Sequence, residues 1–431
     1  MENLIRILHE EQCSCVIRSV DGCVMRCHGR GVSDLLRLYR TEPRFLKGAE
    51  IADRVVGKGA AALMIIGDVS RVYADIISDA PVDLFEKSGV NVSWNKRVPE
   101  IINRTGNGRC PVETLTLSCT TAQECLPLIE NFVNSMKNNS IPAKVFMTRE
   151  ISPESIIRLY HALGREVKGN VAVKISTGEP GGHNFLKPEL ISDFVKLVNG
   201  TIVECNTAYE GRRNTSDEHY RAAEEHGFTA IAPVDIMDSE GEIKLPVKNG
   251  RHLPYDIVGS HYTDYDFTVI LSHFKGHQMG GFGGAVKNMS IGIASSVGKA
   301  FIHTAGKRAT CDDLWDNIAP QNDFLESMAE AAKAIADHCG ENIIYISVAN
   351  NLSVDCDCAS DPEDPKMADI GVLASLDPIA LDKACTDLVR TSPDHGKVHL
   401  IERIDSRNGM HTLEYGEAIG LGTQTYDLIE L

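Results

Sequence analysis

An apolar strand that leads directly into a segment rich in glycine and histidine is the feature that most constrains this chain. Residues 266–271 (Asp-Phe-Thr-Val-Ile-Leu) are typical of a buried β-strand, and residues 272–288 add glycines, two histidines and two lysines. A strand that ends in a glycine-rich turn before a helix indicates the carboxyl edge of an α/β sheet, where such sheets bind ligands. We therefore expect a ligand site in residues 272–288.

The rest of the chain alternates short apolar strands with helices. Strands are predicted at 144–147, 171–175, 201–205, 343–348 and 370–374, and helices at 152–160, 188–198, 216–226, 323–339 and 378–389. This alternation predicts an α/β fold with a doubly wound, mainly parallel sheet. Residues 136–142 are polar and lack periodicity, so we expect two domains, residues 1–138 and 143–431.

Composition narrows the classes of partner. The formal net charge of −17 makes nucleic acid an unlikely partner, because a polyanion is repelled at long range. The sequence shows neither an apolar run of the roughly 18 residues that span a bilayer nor a signal-peptide pattern, so we expect a cytoplasmic protein without a membrane partner. The chain has 13 cysteines, an odd number, which in a cytoplasmic protein predicts free thiols, metal ligands or redox groups rather than a set of disulfides. No Cys-x-x-Cys motif occurs in the sequence, so we expect no ferredoxin module.

Four of the cysteines lie close together near the N-terminus. Asp21-Gly22 predicts a two-residue hairpin turn that pairs Val16 with Cys27. In that register Cys13, Cys15 and His28 lie on one face of the hairpin, with Cys23 and Cys27 on the other. We therefore expect buried apolar thiols here rather than a zinc site.

The strand ends of the second domain carry the groups that suggest chemistry. Histidines at strand ends can bind a metal ion or act as acid and base near neutral pH. Glycines there allow close approach of a bound group, and a lysine near a helix N-terminus can become a nucleophile or an attachment point. The candidates are His183, His273, His277, Gly280, Gly281, Gly283, Gly284, Lys287, Asn288 and His303.

A Cys-x-Cys pair lies in the motif Asp355-Cys356-Asp357-Cys358. Two thiols this close can chelate a soft metal ion or meet a redox partner. A tetrahedral site needs a further ligand, for which His273 and Cys205 are candidates.

The first domain resembles a family of unknown function (family 1893) with a cytidine-deaminase-like fold, through residues 45–62 and 101–113. The resemblance implies a three-layer α/β/α domain. A zinc deaminase needs His-x-Glu (or Cys-x-Glu) and Pro-Cys-x-x-Cys. This chain has no His-x-Glu on the segment of residues 57–62, and it has Cys110-Pro111-Val112-Glu113 in place of the cysteine motif, so we expect a ligand-binding or regulatory domain. Its candidate ligand-site residues are Asp53, Lys58, Asn103, Arg104, Cys110 and Glu113.

The second domain resembles a family known as domain of unknown function 362, through residues 273–290, 355–358 and 370–382. It also resembles, more distantly, the nickel-pincer lactate racemases. Residues at positions matching the racemase pattern are His277, Phe282, Gly283, Lys287 and His303.

The racemase resemblance implies a role for each matching residue. Lys287 would anchor a pincer-type nucleotide cofactor and His303 would ligate nickel. His183 and His277 would act as acid and base on either side of a substrate carbon, and Arg149 would bind its carboxylate.

Three functions remain open from the sequence. The second domain is a candidate metal- or cofactor-dependent enzyme, a racemase, isomerase or oxidoreductase acting on a small carboxylate. It is alternatively an iron–sulfur-associated redox protein that meets a partner protein through Cys356 and Cys358, with iron or nickel as the metal. In the third function, the first domain senses a nucleotide and regulates its neighbour.

Overall fold

The computed structural model describes residues 1–11, 13–27, 32–103, 108–138, 142–248 and 250–431. Contacts divide the chain into two compact units, Met1–Lys137 and Asn138–Leu431. No helix among these residues combines the length and the apolar character needed to cross a bilayer.

The first unit is built on a five-stranded sheet. Its strands are β1 (Cys15–Arg18), β2 (Val24–Cys27), β3 (Glu50–Val56), β4 (Arg71–Ser78) and β5 (Asn91–Val98), and its helices are α1 (Glu2–Glu10), α2 (Ser33–Thr41), α3 (Pro43–Leu46), α4 (Lys58–Ile66), α5 (Asp79–Ser88), α6 (Pro111–Thr116) and α7 (Ala122–Asn138). The strand order is β2-β1-β3-β4-β5, with β3, β4 and β5 parallel. One apolar cluster packs α1 on the sheet and a second holds α2, α4 and α5, which gives three layers.

Two local predictions in this unit are wrong. The small residues of segment 51–63 predict a single helix packed on a sheet, whereas the chain forms β3 and then α4, with Gly57 between them. The hairpin loop has three residues rather than two, because Ser19 pairs with Cys23 and Gly22 adopts a positive φ of 87°. This one-residue shift makes Cys15 and Cys27 direct cross-strand partners on the same face.

The second unit is a doubly wound α/β fold. Among its described residues, eight strands form one large sheet and four more form two separate two-stranded sheets. Its strands are β6 (Ala143–Thr148), β7 (Val171–Lys174), β8 (Gly200–Glu204), β9 (Val234–Ile236), β10 (Glu242–Pro246), β11 (Tyr255–Gly259), β12 (Phe267–His273), β13 (Lys275–His277), β14 (Gly281–Gly283), β15 (Ile343–Ala349), β16 (Gly371–Ser375) and β17 (Tyr426–Glu430). Its helices are α8 (Pro153–Leu163), α9 (Pro188–Leu197), α10 (Ser216–Glu225), α11 (Ala285–Ser290), α12 (Ser296–His303), α13 (Gln321–Cys339), α14 (Pro378–Thr391), α15 (Lys397–Ser406) and α16 (His411–Ala418), with 3-10 turns at Phe228–Ala230, Ser260–Asp264 and Leu314–Asn317.

The sheet order is β17-β6-β16-β15-β12-β7-β8-β9, and β16 runs antiparallel to both of its neighbours. The remaining pairs are parallel, so the expected mainly parallel sheet is confirmed. Alternate residues of β12 point to opposite faces: Val269 and Leu271 pack in one apolar cluster and Ile270 in the other. Helices therefore cover both faces of the sheet.

The glycine-rich segment is held against α14 by one carboxylate. Asp382 accepts hydrogen bonds from the backbone N–H groups of Ala285 (2.7 Å) and Val286 (2.9 Å), the first residues of α11. A Cβ atom on Gly284 would lie 2.3 Å from the Asp382 carboxylate. This glycine is therefore required for close packing of the loop.

We expect Gly284→Ala to lower the free energy of unfolding by about 2 kcal/mol, because the added methyl group displaces a buried carboxylate from its N–H partners. Urea unfolding measures the change. Gly283→Ala is the matched control, since a Cβ there meets atoms no closer than 3.6 Å. Equal stability of the two variants would contradict the packing role.

Candidate functional site

The carboxyl ends of the parallel strands meet at one edge of the larger sheet. Strand β12 ends at His273, and the chain then forms the β13–β14 ribbon and α11. Because β16 is antiparallel, the loop of residues 350–370 leaves β15 and re-enters the sheet at that same edge. This loop therefore brings the Cys-x-Cys motif to the end of β12.

A cavity of about 1030 Å³ opens at this edge. It is lined by many of the residues that the sequence predicted to be functional. These are His273, His277, Gly283, Gly284, Lys287, Asn288, His303, Cys356 and Cys358. The glycine-rich segment and the Cys-x-Cys motif thus contribute to one cavity, although they are far apart in the sequence.

The two thiols and one imidazole converge on a single point. The ligand atoms of His277, Cys356 and Cys358 all lie within 4.8 Å of one another. The Cys358 N–H donates to the Cys356 sulfur at 3.3 Å. The hydrogen bond from the Cys358 thiol, together with the charge of Lys287, outweighs burial and holds the pKa of Cys356 well below its usual value. Cys356 is therefore the thiolate of the pair, the form that binds metals and attacks electrophiles.

The hydrogen bonds of His277 fix its tautomer. Its Nδ1 accepts from the backbone N–H groups of Gly280 (2.9 Å) and Met279 (3.2 Å). The neutral ring therefore carries its proton on Nε2. Burial, aided by the charge of Lys287, lowers the pKa of His277, which favours this neutral form. A buried Nε2–H in a cavity wall suits proton transfer.

His303 has the opposite arrangement. Its Nδ1 lies 2.6 Å from the carbonyl oxygen of Lys299 and donates to it, which leaves the Nε2 lone pair unprotonated. Its ring stacks on Phe324. Burial lowers the pKa of His303 to about 4, and the nearby charges of Lys287 and Lys299 act in the same direction. A histidine that donates through Nδ1 to a carbonyl has the usual arrangement of a metal ligand.

Asp357, between the two cysteines, anchors their loop. Its carboxylate accepts from His273 Nδ1 (2.8 Å) and Lys275 Nζ (2.7 Å), and its backbone carbonyl accepts from the Glu179 N–H (2.8 Å). Burial opposes ionisation, but the charges of His273 and Lys275 prevail and hold the pKa of Asp357 well below its usual value. The loop is thereby fixed to β12 and β13.

The His273 side chain is engaged at both nitrogens. Besides its bond to Asp357, Nε2 lies 2.7 Å from the carbonyl oxygen of Asn350. The expectation that His273 is a metal ligand therefore requires correction, because neither nitrogen has a lone pair directed at the cysteines. The Cys205 thiol likewise donates to the Ile293 carbonyl at 3.2 Å.

The structure does not bring together every residue that the sequence singled out. His183 is exposed, lies outside the cavity lining and contacts Asp364 at 3.0 Å, so it does not face His277 across the cavity. Arg149 is exposed and pairs with Glu430 at 3.0 Å, also outside the lining. The roles that the racemase resemblance implies for these two residues, an acid or base for His183 and a carboxylate-binding group for Arg149, therefore require correction, because both side chains lie at the surface outside the cavity.

Only some of the predicted cofactor-binding residues line the cavity. Gly280 and Gly281 lie outside the cavity lining, and Gly281 adopts a positive φ of 82° where the chain passes close to Gly409. The Asn288 amide lines the cavity but donates to the carbonyls of Lys174 (3.1 Å) and Leu271 (3.2 Å). Asn288 thus joins two strand ends.

In the first unit, the main polar candidates are engaged internally. Lys58 is buried and donates to the carbonyls of Leu117 (2.8 Å) and Cys119 (2.6 Å). Glu113 is buried and accepts from Ser78 Oγ and from the backbone N–H of Ile101. These contacts support the fold of the unit.

The other candidates in this unit are more dispersed. Asp53 accepts from the backbone N–H of Val55, and burial raises its pKa to about 7. Cys110 precedes α6, and the Asn103 N–H donates to the Gly108 carbonyl. Arg104 lies outside the described residues.

Several cavity residues were missed by sequence reasoning. Lys174 is a buried lysine at the end of an apolar strand and is paired with Glu204 at 2.8 Å. Lys299 is also buried and lines the cavity. A charged residue inside an apolar strand, as in Val-Ala-Val-Lys174, is a signal that could have identified part of this network.

Two family models match the chain. Domain of unknown function (DUF362) matches residues 171–387, and domain of unknown function (DUF1893) matches residues 3–133. No curated protein is significantly similar in sequence to the chain. The deaminase-like relationship of the first unit stays a prediction.

Three solved structures are similar to parts of the chain. A DUF1893 family protein from Thermotoga maritima has 23% identity and a TM-score of 0.28 over 30% of this chain and 89% of its own. The lactate racemase apoprotein from Thermoanaerobacterium thermosaccharolyticum has 14% identity and a TM-score of 0.35, covering 58% of each chain. Another Thermotoga maritima protein has 13% identity and a TM-score of 0.34, over 55% of this chain and 58% of its own.

We expect Asp357→Asn to lower the free energy of unfolding by about 3 kcal/mol at pH 7, because it leaves the buried Lys275 without its counter-charge. The pKa of Asp357 is depressed in the folded state, so its stabilisation is present above the unfolded value of about 4 and is lost as pH falls below it. Urea unfolding of both proteins between pH 3 and 8 should show their difference shrinking only below about pH 4.

The exposed Asp361→Asn is the matched control for this experiment and should change stability by less than about 0.5 kcal/mol. A difference in the free energy of unfolding between wild type and Asp357→Asn that grew as the pH fell would contradict a depressed pKa of Asp357 in the folded state.

Proposed function

The chain belongs to the DUF362 family, and we propose that its second unit is a metal-dependent enzyme, a racemase, isomerase or oxidoreductase, acting on a small carboxylate. The observation that carries this proposal is the convergence of Cys356, Cys358 and His277 on the wall of one cavity. Thiolate ligands favour soft or borderline ions, such as zinc, iron or nickel.

Each residue of the group then has a distinct role. The sulfurs of Cys356 and Cys358 hold the metal ion, which polarises an oxygen of the substrate when bound. His277 holds a proton on Nε2 beside the two sulfurs and transfers it to or from the substrate. Lys287 lines the cavity and binds the substrate carboxylate as a charge-assisted donor.

The residues also fit the pincer-type cofactor that the sequence resemblance implies. The Lys287 amine has no hydrogen-bond or ion-pair partner among the described residues, and the Nε2 of His303 retains its lone pair. Lys287 would attach the cofactor and His303 would ligate its nickel. When bound, the cofactor would supply hydride transfer beside His277.

A second candidate function uses the thiols as a redox couple. Cys356 is the thiolate and Cys358 its hydrogen-bonded neighbour, an arrangement typical of a reactive dithiol. Oxidation would join the two sulfurs and pass two electrons to an acceptor protein or cluster, with loss of the thiol proton. A bound iron–sulfur cluster is a separate form of this redox alternative. Anaerobic absorbance spectra of natively purified protein test it: a chromophore lost in Cys356→Ser supports a cluster.

We expect natively purified protein to contain a transition metal ion, and we expect Cys356→Ser and Cys358→Ser each to lose most of it. A hydroxyl group is a poor ligand for a soft ion, and loss of one ligand of such a site typically costs at least about tenfold in affinity. Elemental analysis of the purified protein measures the metal. Cys311→Ser is the matched control, because this thiol lines the same cavity outside the convergent group.

Metal retained in both serine variants would contradict the assigned ligands. Protein without metal after anaerobic purification would favour the dithiol alternative instead.

Intact-mass spectrometry separates the pincer version from a simple metal site. We expect a covalent adduct on wild-type protein that is absent from Lys287→Arg, because only the lysine amine can form the attachment. Lys307→Arg, at an exposed position, is the control. An unmodified wild-type mass would exclude the pincer version and leave the metal site intact.

A further inference from the structure

Two lysines that line the cavity form no ion pair with a carboxylate of the described residues. Lys275 pairs with Asp357 at 2.7 Å and Lys174 with Glu204 at 2.8 Å. In the described part of the chain, no carboxylate oxygen lies within 4.0 Å of Lys287 or Lys299. The cavity therefore has two ammonium groups in excess of the carboxylates that contact its lysines.

The contacts of Lys299 solvate its charge without balancing it. Its side chain is more than nine-tenths buried, and Nζ donates to the carbonyls of Ala294 (2.6 Å) and Cys205 (3.3 Å). Carbonyl groups are dipoles without net charge, and a buried ammonium group without a counter-ion is costly. An anion bound in the cavity would supply the missing charge.

The proposed metal ion does not supply it. A divalent ion bound by two thiolates gives a group with no net charge, so the charges of Lys287 and Lys299 remain. The acidic residues at the cavity mouth, Asp312, Asp313 and Asp316, are exposed, and solvent and salt screen them from the buried lysines.

Both ammonium groups approach the same part of the cavity. Lys299 lies one helical turn before His303 on α12, and its charge and that of Lys287 both act on the His303 ring. Both side chains line the same cavity of about 1030 Å³.

We infer that the substrate of this cavity carries two acidic groups, as a dicarboxylate or a phosphorylated carboxylate does, and that these groups contact Lys287 and Lys299. The inference rests on the proposed function for the charge of the metal group and for a free Lys287 amine, as in the simple metal site. It excludes a simple monocarboxylate as the preferred ligand.

Isothermal titration of the full-length, metal-analysed protein with L-malate, phosphoglycolate and L-lactate tests the inference. We expect malate or phosphoglycolate to bind at least about tenfold tighter than lactate, the usual contribution of one further charge-assisted hydrogen bond. The ratio of malate to phosphoglycolate affinity tells which kind of second acidic group the site takes.

The variants assign the preference to its residues. Lys299→Met should abolish the preference while lactate affinity changes less than about twofold, whereas Lys299→Arg should keep it. The exposed Lys307→Met is the control and should bind as the wild type does. If Lys299→Met does not fold, Lys287→Met removes the other charge and should also abolish the preference.

Lactate affinity equal to that of both malate and phosphoglycolate would overturn the inference, as would no detectable binding of either of these two ligands at millimolar concentration. A preference for them over lactate that survives removal of either lysine charge would overturn it as well. Protein that lacks metal yet prefers malate or phosphoglycolate to lactate would refute the proposed metal site and leave this inference standing.

Discussion

The buried carboxylate of Asp357 holds the candidate site together. It lies between the two cysteines of the Cys-x-Cys motif and binds His273 and Lys275, which lie on β12 and β13. A long loop without regular secondary structure would otherwise have many conformations available to it. The ion pair selects the one in which both thiols face the cavity, and its burial makes the cost of losing either partner high.

The direction of β16 decides where that loop lies. In a sheet of uniform direction, the chain that leaves β15 would need a crossover to reach the opposite edge before the next strand began. Because β16 is antiparallel, the chain returns at the edge it left. The thiols thus join the ends of β7, β8 and β12, where the charged residues of the cavity also lie. One reversed strand therefore brings sulfur ligands to an edge that already carries histidines and lysines.

Much of the fold could be predicted from local patterns. The apolar runs that became β7, β8, β12 and β15 are buried on both faces, and such runs have few alternatives to a central strand. The first unit was harder, because its small-residue segment satisfies both helix and strand patterns. Residues 50–56 became a strand since they complete a sheet with β1 and β4, a pairing that no local pattern contains. The predicted register of the hairpin was wrong by one residue, because the register depends on the length of the turn, and the turn at Gly22 has three residues rather than two.

The sequence by itself determined the α/β class, the position of the glycine-rich segment at the end of β12, and the presence of a close thiol pair, because periodicity and spacing are local properties. It also identified His277, Lys287 and His303, which lie within one continuous segment of the chain. Only the tertiary structure decided which other groups share their cavity. It brought Cys356 and Cys358 to His277 and directed His183 and Arg149 elsewhere, because the path of a loop depends on distant ion pairs and strand directions.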